Sequence, residues 1–483
     1  MADRQIRLHA KEGPREVTEV NVSAVDLARL QFATTSIYHF LFVPLTIGLA
    51  FLTAILQTLW YRKGHPEHLR LTRFFGTLLV INVAVGVVTG LVQEFQFGMN
   101  WSAYSRFVGD VFGAPLAIEG LAAFFLESTF LGLWLFGWDR LSKRVHLATI
   151  WVVAIGGALS AAFIMAANSW MQRPVGYQLD QTTNRAELTD IWAVLTNVVF
   201  LWAYLHVLAA SVVTAGVVML AISAWHLRRQ SSPAMFRRSA KLAVVVLIPS
   251  TMLALFFGGR LGINETRYQP MKIAAAEGQW NTCQPCSFSV FQIGGGNNDP
   301  TPTKIIQVPH LLSVLSTGTW NGQVVGLNPL QAQYQQQYGA GNYVPNIFVQ
   351  YWSMRTMAYL GVLVLLLSLW GAWLLWRKRI GSATWFLRLA IWATVLPFLI
   401  NTAGWALTEN GRQPWIVQGL QLVRDAVSPS VSVTTIVISL TVFILLYAAL
   451  GVVDVMLMTH FARKELAPEP ATEEQAPALH FTY

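Results

Sequence analysis

The feature that most constrains this chain is a succession of apolar runs, each close to the roughly 20 helical residues needed to cross a lipid bilayer. Windows of the sequence predict such spans near residues 33–59, 75–97, 115–137, 146–167, 203–225, 242–259, 347–375, 385–408 and 431–458. Of the 483 residues, 54% are hydrophobic and only 12% charged, against about 25% charged in an ordinary soluble domain. So few polar groups cannot coat a soluble particle of this size. The expectation is an all-α, polytopic membrane protein with nine transmembrane helices.

The basic residues decide the predicted orientation. Arg62, Lys63, Arg70 and Arg73 follow the first span; Arg140, Lys143 and Arg144 follow the third; Arg228, Arg229, Arg237, Arg238 and Lys241 follow the fifth; and Arg377, Lys378, Arg379 and Arg388 follow the seventh. Short loops rich in Lys and Arg face the cytoplasm, which places the N-terminus outside and the C-terminus inside. The net charge of +9 thus reflects membrane topology, and no nucleic-acid partner is expected. Residues 1–30 interleave acids and bases without an apolar core, so they read as an N-terminal extension with no signal peptide. Helices one to six then occupy 31–259, an extracytoplasmic loop 260–346, helices seven to nine 347–460, and a disordered cytoplasmic tail 461–483.

The loop is too long to be a mere link, and its apolar stretch Ile305 to Val314 favours packed structure. It holds both cysteines, Cys283 and Cys286. In an oxidising compartment the pair reads as a local structural disulfide. A thioredoxin-like redox pair would need a surrounding βαβ pattern, and c-type haem attachment would need a His after Cys286.

An ionisable side chain inside hydrocarbon is expensive unless paired or ligated, so each one is a functional candidate. Within or at the ends of the spans lie His39, Glu119, Glu127, His206, Arg355 and Glu409. With the orientation above, His39, His206, Met357 and Glu409 fall at one depth near the outer leaflet, as several haems stacked near one face would require. A lone His is often only hydrogen-bonded to a neighbouring helix, and Met is ordinarily a flexible filler. Arg355, two residues from Met357, is placed to pair with a haem propionate. His–Met ligation suits electron transfer, whereas a single ligand leaves a position open for O₂; His39 and Glu409 are candidates for the open sites. Glu119 and Glu127 are separated by about 12 Å along a helix and about 80° in azimuth. With Ser128 they read as stations of a proton relay or, more blandly, as a polar lock between helices. Trp405, one helical turn before Glu409, is a candidate for packing between macrocycles. Glu94, Asp454, His65, His68, His146, His226 and His460 read as solvated groups at span ends.

The segment Gly404-Trp405-Ala-Leu-Thr-Glu409-Asn-Gly411-Arg412-Gln413-Pro414-Trp415 resembles subunit I of cytochrome bd-type quinol oxidases. So do Arg29-Leu-Gln-Phe32 with Tyr38-His39-Phe-Leu-Phe-Val-Pro-Leu-Thr46, Glu94-Phe-Gln-Phe-Gly98 with Asn100-Trp101, Gly109 to Glu119 continuing to Glu127-Ser-Thr129, Gly137-Trp-Asp-Arg140 and Asn168-Ser-Trp-Met-Gln172. The resemblance runs from about residue 24 to 460. It implies that His206 and Met357 ligate a low-spin haem b with Arg355 near its propionates, and that Glu409 and His39 serve a high-spin haem b and haem d. Which macrocycle each of those two holds stays open, because the positions exchange among family members. Arg412 and Trp405 fall in the same cofactor-binding segment. The resemblance further implies proton delivery by Glu119 and Glu127, and oxidation of menaquinol or ubiquinol by a short-form loop through Lys272 and Glu277. It also implies a related subunit II, with small single-span accessory subunits as further candidates, and residence in the bacterial cytoplasmic membrane with lipid, quinol and O₂ as partners. Ser169 stands where a glycine is common, and the Cys-X-X-Cys is not a general family feature.

Competing classes lack ligands. A haem-copper oxidase needs a histidine cluster for copper, a bc-type cytochrome b needs four intramembrane histidines on two helices, and a secondary transporter should show internal repeats. The expected activity is therefore quinol:O₂ oxidoreduction, electrogenic without a pump.

Overall fold

The computed structural model describes residues 23–465. Most of the predicted N-terminal extension and most of the predicted tail lie outside the described residues. Two long helices open the chain, α1 (Ala24–Lys63) and α2 (Pro66–Met99). A third continuous rod follows, built from α3 (Ser102–Ile118), a π-helical turn (Glu119–Phe124) and α4 (Phe125–Phe136). After α5 (Lys143–Gln172) come the hairpin β1 (Tyr177–Asp180) and β2 (Arg185–Leu188), the short α6 (Ile191–Leu195), then α7 (Val198–Arg228) and α8 (Pro233–Tyr268). The long connection holds α9 (Pro270–Ala276), the antiparallel pair β3 (Phe288–Ile293) and β4 (Thr303–Val308), α10 (Leu311–Thr317) and α11 (Leu327–Tyr338). The chain closes with α12 (Ile347–Trp376), α13 (Thr384–Trp392) joined by a 3₁₀ turn to α14 (Leu396–Arg412), β5 (Trp415–Val417), β6 (Gln421–Leu422) and α15 (Val433–Arg463).

Among the described residues nine rods are long and apolar enough to span a membrane, as the hydropathy predicted. Their ends are set by local chemistry that an apolar window does not register. The first helix begins at Ala24, ahead of the predicted residue 33, because Ser23 caps it by accepting from the Asp26 backbone N–H at 3.1 Å. Residues 24–30 therefore belong to the helix and not to the extension. The third rod starts at Ser102 and not near 115, since its first turns carry Arg106 and Asp110, which mask a helix in a hydropathy window. Similarly α8 runs to Tyr268, so the helix continues past the predicted end of the sixth span at 259. The last helix continues through Arg463, past the predicted start of the tail at 461.

The main core lies between α1, α2, α5, α7 and α8, where Leu49, Leu52, Leu71, Phe75, Ile150, Val217 and Leu247 are buried. Close approach is made by small residues, as usual between membrane helices. A Cβ on Gly48 would collide with the Ser211 backbone carbonyl of α7 and lie 2.6 Å from Ala215 Cβ. In the long connection, Cys283 and Cys286 form the predicted disulfide, with Cys286 buried against Phe288, Leu312 and Val324. The apolar stretch is used in two ways: Leu312 packs inward, whereas Ile305 and Ile306 are exposed.

Several histidines depart from expectation. His146 is buried, with Nδ1 2.8 Å from Gln57 Nε2 and Nε2 2.8 Å from the Trp134 carbonyl. His226 is buried and stacks on Phe236, and His68 is buried as well. These three are packed inside the protein, not solvated, although only His146 has both ring nitrogens hydrogen-bonded. Asp454 Oδ1 is likewise buried.

A backbone carbonyl cannot swing aside as a side chain can, so Gly48→Val should force α1 away from α7. We expect a loss of about 1–3 kcal/mol, read as a lower unfolding temperature of the detergent-purified protein; an unchanged temperature would show that this contact is not tight.

Candidate functional site

A cavity of about 1230 Å³ opens between α1, α2, the π turn, α5 and α14. That exceeds the roughly 300–1,000 Å³ of an ordinary single-ligand pocket. Six of the sequence candidates line it: His39, Glu119, Glu127, Trp405, Glu409 and Arg412. Glu94 also lines it, although it remains exposed.

His39 Nδ1 lies 2.9 Å from Thr89 Oγ1, and that hydroxyl donates its proton to the Gly86 carbonyl at 2.9 Å. Thr89 must then accept from His39, which puts the imidazole proton on Nδ1 and leaves a lone pair on Nε2. An imidazole held this way is ready to ligate a metal. Gly90 makes room for it, since a Cβ there would lie 3.1 Å from His39 Cε1. Across the cavity, Glu409 accepts from Asn168 Nδ2 at 2.9 Å and is ion-paired with Arg412 one helical turn on. Trp405 stacks on Phe40, ring centroids 5.2 Å apart.

Glu119 begins the π turn and accepts from Ser160 Oγ at 2.6 Å. Because an i→i+5 turn winds less per residue than an α-helix, it brings Glu127 closer to the azimuth of Glu119 than the predicted 80° offset allows. Both carboxylates consequently face one cavity. Glu127 sits beside Gly157, where a Cβ would lie 3.4 Å from its Oε1. Ser128 points elsewhere, donating to the Phe124 carbonyl at 2.9 Å. The hydroxyl beside the acidic pair is thus Ser160 of α5, which sequence spacing missed because it comes from another helix.

His206 and Met357 do not line the cavity. They stand on α7 and α12, which meet through α8 and α14. His206 Nδ1 lies 2.8 Å from the Ala254 carbonyl, which can only accept, so here too Nε2 keeps its lone pair. Glycines cradle both side chains: a Cβ on Gly258 would lie 3.1 Å from His206 Cε1, and one on Gly404 would lie 3.2 Å from Met357 Sδ. Two imidazoles with free Nε2 atoms, a thioether and a carboxylate suit haem iron at these positions.

Two buried ion pairs join the long connection to the membrane helices. Arg355, about 1% exposed, donates to Glu277 Oε2 and to the Ser289 carbonyl, both at 2.7 Å, and also to the Ala276 carbonyl. Its guanidinium lies 3.7 Å from the Tyr351 ring centroid. Arg355 thus directs its donors at α9 and β3. Lys272 pairs with Glu265, an acid at the end of α8 that the sequence reading passed over. Its only signal was its place just before Pro270 and Lys272. Burial pushes the Glu277 carboxyl above its ordinary pKa, while the Arg355 guanidinium opposes that shift. Nearby Lys304 donates to Gln279 Oε1 at 2.9 Å, and burial lowers its pKa.

Comparison with known proteins gives one family. The family model described as cytochrome bd terminal oxidase subunit I matches residues 27–466. Cytochrome bd ubiquinol oxidase subunit 1 of Bacillus subtilis (strain 168) is 42% identical over 444 residues, covering 92% of this chain and 94% of that protein. Cytochrome bd-II ubiquinol oxidase subunit 1 of Escherichia coli (strain K12) is 36% identical, covering 93% and 98%. The solved bd oxidase from Geobacillus thermodenitrificans superposes with a TM-score of 0.83 at 28% identity, over 91% of this chain and 98% of that one.

Removing one member of a buried pair strands the other charge, at a cost of about 3–5 kcal/mol. Arg355→Ala should therefore loosen α9 and β3 and make the 269–346 segment readily cleaved in limited proteolysis. Arg355→Ala/Glu277→Ala should recover part of the resistance; equal resistance in wild type and Arg355→Ala would contradict the clamp.

Proposed function

We infer the function from one premise: the chain belongs to the cytochrome bd terminal oxidase subunit I family. It is accordingly a multi-pass protein of the bacterial cytoplasmic membrane, the subunit I of a quinol-oxidising oxidoreductase that uses haem, and its relatives imply a subunit II partner.

On that basis we propose the following assignments. His206 and Met357 hold a low-spin haem b, and His39 and Glu409 serve the high-spin haem b and haem d around the large cavity. The observation that carries this reading is the pair of imidazoles whose Nδ1 protons are committed, to Thr89 in one case and to the Ala254 carbonyl in the other, so that both present Nε2. When bound, the haems supply electron transfer and the reduction of O₂ to water.

The remaining chemistry belongs to side chains of this chain. The 269–346 segment binds quinol at the outer face, with Lys272 orienting a quinol oxygen and Glu277 accepting its proton. Glu277 suits the task because burial has already raised its proton affinity. Glu127, Glu119 and Ser160 pass protons into the cavity from the cytoplasmic side. Protons released outside and consumed from inside separate charge without a pump. The N-terminus outside and C-terminus inside follow from the Lys- and Arg-rich loops. Arg355 couples the two regions by tying Glu277 to the helix that carries Met357.

Met357→Leu keeps the volume and removes the sulfur. The reduced low-spin band and quinol oxidation should disappear while the protein still assembles; a retained band would remove the His206–Met357 assignment. For Glu277, only the carboxylate accepts a proton, so quinol turnover should fall as pH drops through its raised pKa, above the usual carboxylate value near 4.3. Glu277→Gln should lower the rate and abolish that acid limb. An unchanged limb would assign the proton to another group.

A further inference from the structure

The C-terminal turn of α14, strand β5 and the start of α9 border a second, much smaller void of about 10 Å³, which shares Arg412 and Gln413 with the wall of the large cavity. Its walls include Gln269, Lys272, Gly411, Arg412 and Trp415. Three of these side chains each carry a buried polar atom with no protein partner among the described residues: Gln269 Oε1, Arg412 Nε and Trp415 Nε1. Elsewhere each side chain is either committed or tightly packed. Gln269 Nε2 donates to the Gln172 carbonyl at 2.9 Å, which fixes the amide so that Oε1 remains the free end. The terminal nitrogens of Arg412 engage Glu409. The Trp415 indole stacks on Tyr343, ring centroids 5.6 Å apart, and meets the edge of Tyr338 at 4.8 Å.

Buried polar atoms left without partners are rare in folded proteins, and three on side chains that wall one void point to a ligand there. The set comprises two N–H donors and one oxygen acceptor. A water molecule accepts two hydrogen bonds and donates two, and it needs about 10–15 Å³ of such volume with two to four polar partners. An anion would satisfy the two donors but face the Gln269 oxygen unfavourably. Lys272 is already paired with Glu265, so it does not compete for the position.

We propose that one ordered water occupies this void, accepting from Arg412 Nε and Trp415 Nε1 and donating to Gln269 Oε1, and that Trp415 and Gln269 are thereby positioning residues for the Arg412–Glu409 pair. The water holds the guanidinium at its Nε edge while the terminal nitrogens hold Glu409, so the plane of Arg412, and with it the carboxylate facing the large cavity, is set from the extramembrane side. Gly411 is required for the same closeness: a Cβ there would run into the Lys272 stem and the Gln350 amide. The consequence for the haem site rests on the reading of Glu409 as a haem ligand; the water itself does not.

The test uses the intact two-subunit oxidase. A map resolving ordered solvent should show a single density within hydrogen-bond reach of Arg412 Nε, Trp415 Nε1 and Gln269 Oε1. Trp415→Phe, which keeps an aromatic ring but removes the N–H, and Gln269→Met should shift the high-spin haem absorption while the low-spin band stays in place; Gln269→Glu, which retains an acceptor oxygen, should stay close to wild type. A void without density, or high-spin bands unmoved in both Trp415→Phe and Gln269→Met, overturns the proposal. Glu409→Ala separates the two readings: full retention of both high-spin signals there defeats the ligand assignment, while the density still decides the water.

Discussion

Hydrocarbon offers a polar group no water, so every donor, acceptor and charge drawn into this bundle must be answered by protein or by a bound group. The rest of the structure follows from that demand. His146 is answered at both nitrogens by Gln57 and Trp134, and it is a packing element. His39 and His206 are answered at Nδ1, which leaves Nε2 its lone pair, and a glycine makes room beside each ring, so both are ligand candidates. Glu119 is answered by Ser160, and Glu409 by Asn168 and Arg412.

The same demand explains how the extramembrane segment is attached. A loop docked on a membrane bundle by apolar contact alone would be free to slide, whereas Arg355–Glu277 and Lys272–Glu265 are buried pairs whose partners come from both sides of the junction. Separating either pair leaves a charge in a dry site, so the register of α9 against α8 and α12 is strongly specified. The aromatic group of Tyr334, Tyr338, Tyr343 and Trp415 then packs the far end of the segment against the turn after Glu409. In this way the proposed quinol side and the proposed haem side share a wall.

Much of this was legible beforehand, and the limits are instructive. His39, His206, Met357 and Glu409 stand out as candidates because polar or ligating groups in long apolar runs are conspicuous. Glu265 was not, because it lies where the reading had already left the membrane, although α8 continues to Tyr268. The sequence points to Ser128 because it neighbours Glu127, but a helical serine readily turns back to the preceding carbonyl, as Ser128 does, and Ser160 is supplied by another helix. The 80° separation of Glu119 and Glu127 assumed an uninterrupted α-helix, and the π turn between them left no signature in residue type.

By itself, then, the sequence determined the number of spans, the all-helical class and the residue types able to bind haem iron, because hydropathy and the rarity of intramembrane charge are local properties of the chain. Only the tertiary structure decided which imidazole nitrogen is free, which acid answers Lys272, where Arg355 aims its donors, and that six candidates share one cavity. Those are relations between residues far apart in sequence, set by helix ends and backbone carbonyls that no side-chain pattern encodes.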